Sequence, residues 1–262
     1  MAGFRRYGQL LLACIILAGV LRGQDKIGQW TIQYQTKALE VVAIDQTGAA
    51  VQPAVTVTLA NRSGRPVTAF AVYDHEGQHY GELSGSEVLN PGATTTVELR
   101  EPGAGVEWVM NVAAVLFGDA PRAGDGDPGA VEHMRFERLG WTLGYSRCSS
   151  VLQGLDPSAL SDANISAAVE LVRKPVRPLE SALALLPESD LKGKIQTANA
   201  EEADTFLTAL EFSQSRCGRT IEQLLAKQGP LRSQLAVALK RQQQKATDVR
   251  RALSELDMGV VK

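Results

Sequence analysis

Hydrophobic periodicity changes once along this 262-residue chain, and that change bounds what it can fold into. Between Trp30 and Phe117, apolar and polar residues alternate in short runs; beyond residue 130 apolar residues recur at every third and fourth position. Alternation puts every second side chain on one face of a strand, whereas three-and-four stepping lines one face of a helix. The alternating runs are Trp30 to Tyr34, Leu39 to Ile44, Val55 to Leu59, Val67 to Tyr73 and Thr95 to Leu99, followed by the apolar Val109 to Phe117. Turn formers separate them: Asn61-Arg62-Ser63-Gly64, Asn90-Pro91-Gly92 and Glu101-Pro102-Gly103. Short strands with one apolar face must bury it against another sheet, so residues 24–118 are expected to form an antiparallel β-sandwich.

The order and length of these runs resemble bacterial extracellular immunoglobulin-like domains over Trp30 to Phe117. The resemblance implies a fold and no function, because the paired cysteines of antibody-type domains are missing from this stretch.

Residues 119–129, rich in Gly, Asp and Pro, are expected to link this sandwich to an all-α region over 130–262, which makes the chain α+β. Met134, Trp141, Tyr145, Cys148 and Leu152 form one helical stripe, and Asp156-Pro157 is expected to start a second helix running through Val172. Pro175, Pro178 and Pro187 then allow only short pieces. Ala203, Leu207, Leu210, Gln214, Cys217, Ile221 and Leu224 advance by fours and threes. After Gly229-Pro230 the stepping repeats through Leu235, Leu239, Gln242, Ala246, Val249, Leu253 and Leu256. Two matched stripes around a tight turn predict a long antiparallel helical hairpin over 200–257, with Gln214 and Gln242 as polar seam residues that set register. The alternative is that both stripes pack onto a compact helical domain.

Arg5 and Arg6 precede an apolar run from Leu10 to Leu21, closed by Arg22-Gly23. A basic start, an apolar run well short of the ~20 residues of a membrane-spanning helix and a small residue at its end describe a secretory signal peptide over 1–23. The expected location is periplasmic or extracellular, with membrane attachment only if the leader is retained. Downstream of it stand 24 basic and 29 acidic residues; residues 24–129 hold 6 and 13 of them, and residues 130–262 hold 18 and 16. The acidic front repels phosphate and the back is close to balanced, so no nucleic-acid partner is expected. Arg232, Lys240, Arg241, Lys245, Arg250 and Arg251 are spread over helix positions and read as a solvated face. Outside the leader, which contains Cys14, only Cys148 and Cys217 remain. They either pair in an oxidising compartment or stay as two buried thiols.

His75-Glu76-Gly77-Gln78-His79 matches the His-Glu-x-x-His string of zinc peptidases. The resemblance implies His75 and His79 as metal ligands one helical turn apart and Glu76 as general base. That chemistry needs a helix, yet Val67 to Tyr73 alternates as a strand, and Gly77 and Gly81 each weaken a helix by ~1 kcal/mol. Asp74 to Gly77 therefore reads as a hairpin turn, and no metal site is expected. Asp119, Asp125 and Asp127 suggest a calcium loop, but the full ligand alternation is absent. Sequons stand at Asn61 and Asn164. No catalytic set, phosphate loop or cofactor motif can be assembled. The expectation is an exported, non-enzymatic protein that binds a protein partner or itself through its C-terminal helices; the alternative is a zinc-dependent hydrolase using His75, Glu76 and His79.

Overall fold

The structure, a computed structural model, describes residues 24–46, 54–75, 77–82, 88–103, 105–118, 123–156, 158–159, 161–176, 179–185, 190–226, 237, 239–245 and 247–248. The expected leader, the turn at Gly229-Pro230 and residues 249–262 lie outside this set. Among the described residues the chain is mixed α+β, with two sheets and five helices. They fall into a β unit ending at Val131 and a helical unit from Glu132 onward.

Alternation produces the strands of the β unit. Along β4 (Ala54–Asn61), Val55, Val57 and Leu59 are fully buried while Thr56 and Thr58 are only half-buried. It pairs with β3 (Leu39–Gln46) and β7 (Thr94–Arg100) in a three-stranded sheet ordered β3-β4-β7. The second sheet runs β1 (Gln24–Ile27), β2 (Trp30–Tyr34), β8 (Val109–Phe117), β5 (Val67–Asp74), β6 (Gly77–Glu82). Residues from both sheets share one apolar cluster that includes Ile32, Leu39, Val57, Phe70, Leu99, Met110 and Val112. At roughly 25 cal/mol per Å² of apolar area, this shared burial is the main force holding the unit together. Trp30 meets Trp108 edge to face at 5.3 Å within that cluster's margin.

Two features depart from the expected antiparallel sandwich and linker. First, β2 and β8 are parallel, with Thr31 opposite Val109 and Tyr34 opposite Val112. The long intervening chain serves as the crossover, so no tight turn dictates direction. Second, the segment expected as a linker is partly built in. Gly124–Gly126 forms a short strand, β9, beside β8, and the first helix begins at Pro128. Gly126 has φ +110, and a Cβ there would lie 2.0 Å from the Ala113 carbonyl oxygen, so only glycine lets this strand approach.

The helical unit contains α1 (Pro128–Gln153, its first turn lying in the β unit), α2 (Asp162–Arg173), α3 (Leu179–Leu183), α4 (Asp190–Gln196) and α5 (Ala200–Ala226). The expected helix start at Asp156-Pro157 is displaced to Asp162. Asp156 instead accepts from the Ser158 amide and hydroxyl in a local turn, and Ser161 caps α2 by accepting from the Asn164 amide at 3.2 Å. Those two Ser158 hydrogen bonds also hold the Asp156 carboxyl below the usual carboxylate range.

Helices α1 and α5 run side by side in the same direction, in register at every fourth residue. Gly140 faces the Phe206 carbonyl and Ala209, Gly144 faces Ser213, and Cys148 is disulfide-bonded to Cys217 with Cα atoms 6.1 Å apart. A Cβ on Gly140 would sit 2.3 Å from that backbone oxygen, so glycine sets the close approach. Phe136, Leu139, Ile195, Phe206 and Leu210 fill a core at one end, and Cys148, Ile165, Val172, Cys217 and Ile221 fill another. The Arg173–Glu222 pair, at 2.6 Å, ties α2 to α5 at the surface.

The α5 stripe expected for a hairpin arm is thus largely covered by α1 to α4. Beyond it, residues 237, 239–245, 247 and 248 are helical. Leu239 joins the second helical core, Gln243 donates to the Leu152 and Leu155 carbonyls at the end of α1, and Thr247 bonds Ser149 and Gln153. These contacts engage α1 as well as α5. Gln214 is 2% exposed, and its Nε2 has no hydrogen-bond partner among the described residues.

Candidate functional site

The His-Glu-x-x-His string falls on a β-hairpin. Strands β5 and β6 pair antiparallel, with Asp74 opposite Gly77, Val72 opposite His79 and Phe70 opposite Gly81. His75 is an exposed turn residue, His79 lies on β6, and Glu76 is outside the described residues. The Gly77 amide donates to Asp74 Oδ1 at 3.2 Å, and Gly77 has φ +130, a conformation that suits glycine. A Cβ on Gly81 would lie 2.2 Å from the Phe70 ring, so the aromatic side chain occupies the space a larger residue would need. The backbone spacing that resemblance to zinc peptidases requires, two histidines one turn apart on a helix, is not what these residues adopt. Among the described residues no group of three His, Cys, Asp or Glu side chains is placed to hold a metal. Changing His79→Ala should leave the zinc content of the purified protein far below stoichiometric, as in the parent, when read by elemental analysis after zinc loading and dialysis. Zinc bound one-to-one in the parent and lost in the variant would contradict this.

The acidic segment is occupied by structural work. Asp125 accepts from the Thr36 hydroxyl at 2.6 Å and the Lys37 amide at 3.3 Å. Asp127 caps α1, its Oδ1 accepting from the Ala130 amide at 2.8 Å, ahead of Pro128 in the first turn. Asp119 lies outside the described residues. The sequon asparagines differ: Asn164 is exposed within α2, whereas Asn61 is 1% exposed and fully hydrogen-bonded.

The helical unit carries the two features with binding character. One is an aromatic face. The Trp141 and Tyr145 rings on α1 stack at 5.7 Å, and Phe212 on α5 meets Trp141 edge-on at 5.2 Å. Phe212 is 53% exposed, unusual for a side chain with that much apolar area.

The other is a cleft of about 280 Å³ beside the disulfide. Leu152, Ile221 and the two cysteines give it apolar walls; Tyr145, Thr220, Gln223 and Gln242 contribute polar groups; Arg216 and Lys245 contribute positive charge, and none of the described lining residues is acidic. Burial pushes the Tyr145 phenol above its ordinary value, and the nearby Arg216 guanidinium partly offsets this, so the phenol stays a neutral donor at physiological pH. Cys217 and Gln242 both line this cleft. The site is not legible in the sequence, because Arg216 and Lys245 read as ordinary surface charges until two separate helical segments bring them to one cleft. No protein-family model matches this chain, and no curated protein or solved structure matches it either.

Proposed function

We propose that this is an exported, non-enzymatic protein whose helical unit makes protein contacts at the cell envelope or outside it. The observation that carries the reading is the Trp141–Tyr145–Phe212 face on two helices clamped by the Cys148–Cys217 disulfide. An exposed ring, Phe212, packed against the half-buried Trp141 beside Tyr145 on a rigid support, has the composition of a binding hot spot, because little side-chain freedom is lost when a partner covers it. A structural disulfide persists in oxidising compartments, which agrees with the leader pattern in residues 1–23. The expected immunoglobulin-like assignment is supported by the way the chain alternates between sheets: β3-β4, then β5-β6 in the other sheet, then β7, then β8. We also propose that residues beyond 226 complete an antiparallel hairpin with α5, since Gln242 and Cys217 border one cleft.

Placing a photo-crosslinking residue at Phe212 in the exported protein tests the contact. The expected result is a discrete adduct with a protein, another copy of this chain included. No adduct beyond that obtained from Ala163, an exposed position on α2, would contradict it.

A further inference from the structure

The cleft between α1, α5 and the C-terminal helical segment has a chemistry that protein contact through the aromatic face leaves unused. We infer that it is a binding site for a small amphipathic carboxylate, held at its charged end by Arg216 and Lys245 and along its body by Leu152 and Ile221. Three observations support this ligand class. Among the described residues two cations and no acid line the space, so a monoanion is attracted and a cation is repelled. The guanidinium presents a planar fork that fits a carboxylate, and the neutral Tyr145 hydroxyl and the Gln242 amide supply further donors. Leu152, Ile221 and the disulfide give the cleft apolar lining as well, which suits a hydrocarbon body and not a fully hydrated anion such as sulfate.

Size narrows the choice. A volume of about 280 Å³ lies near the lower limit of ligand pockets and equals roughly nine water volumes. It admits a short-chain acid or one terminal residue of a peptide, and not a nucleotide or a lipid. The Cys148–Cys217 bond lies in the wall and fixes α1 against α5, so the space is formed before the ligand arrives.

Calorimetry with the full exported chain tests the site, using N-acetyl-leucine, N-acetyl-leucinamide, and a leucine-terminated tripeptide with a free or an amidated C-terminus. The acid is expected to bind about tenfold more tightly than its amide, the gain typical of one charge-assisted interaction. The Arg216→Gln/Lys245→Gln double variant is expected to lose about the same factor with an unchanged melting temperature, since both side chains are exposed. If the free-acid tripeptide binds more tightly than N-acetyl-leucine, the natural source is a chain terminus; the reverse order points to a free acid. Equal affinities for acid and amide, no binding of either acid, or a double variant that binds like the parent would each overturn the assignment. A crosslinking failure at Phe212 leaves these outcomes unaffected, so the two proposals are separable.

Discussion

Changing Cys148 and Cys217 together to serine should lower the stability of the helical unit by about 4 kcal/mol, read by urea unfolding followed through far-ultraviolet circular dichroism. The bond closes a loop with a sequence separation of 69, and the chain-entropy relation for a loop of that size predicts roughly 4.4 kcal/mol from restriction of the unfolded state. Both cysteines are at most 5% exposed and pack with Leu152, Val172 and Ile221, so serine hydroxyls there add a desolvation penalty to the lost crosslink. Reduction of the parent should reproduce most of the loss without that penalty. A change under about 1 kcal/mol would mean that glycine-mediated packing of α1 on α5, and not the crosslink, holds the unit.

Asn61→Ala should destabilise the β unit by about 2–3 kcal/mol, the cost of orphaning buried hydrogen-bonding groups. Asn61 Nδ2 donates to the Arg65 and Leu89 carbonyls, both at 2.7 Å, while Oδ1 accepts from the Ser63 amide at 2.9 Å and hydroxyl at 2.7 Å. Its backbone also takes part: the Asn61 amide donates to the Ala93 carbonyl, and the Gly92 amide donates to the Asn61 carbonyl, both at 2.9 Å. One side chain therefore joins the turn after β4 to residues 89–93, which bridge back to β5 through Val67 and Leu89. Asn61→Asp should cost more than alanine, because a carboxylate would face two carbonyl oxygens where an amide donated. Thermal unfolding of the two variants beside the parent checks the order; an aspartate variant as stable as the parent would contradict this network.

The parts of the fold legible in the sequence are those governed by local periodicity. The apolar run of β8 matches the strand's boundaries, and the β4 alternation and the stepping of α5 each place their element within three residues of its boundaries. What stayed hidden depends on distant partners. Nothing local marks Gln24–Ile27 as a strand; it is one because Trp30 to Tyr34 lies antiparallel to it. The Asp-Pro signal is present twice, and only the copy at Asp127 starts a helix, since Ser158 captures the other aspartate in a turn. Asn61 read as a turn residue because its four side-chain bonds reach partners up to 28 positions away. The cleft was invisible for the same reason: Tyr145, Arg216 and Lys245 become neighbours only through the packing of three helical segments.

Intact-mass spectrometry of protein recovered from the export compartment and alkylated without reductant tests together the proposed removal of residues 1–23 and the bond between Cys148 and Cys217. The expected mass is that of a chain lacking residues 1–23 and carrying no alkyl group, with two added only after reduction. A mass that retains Met1, or two alkylated thiols before any reductant is added, would contradict it.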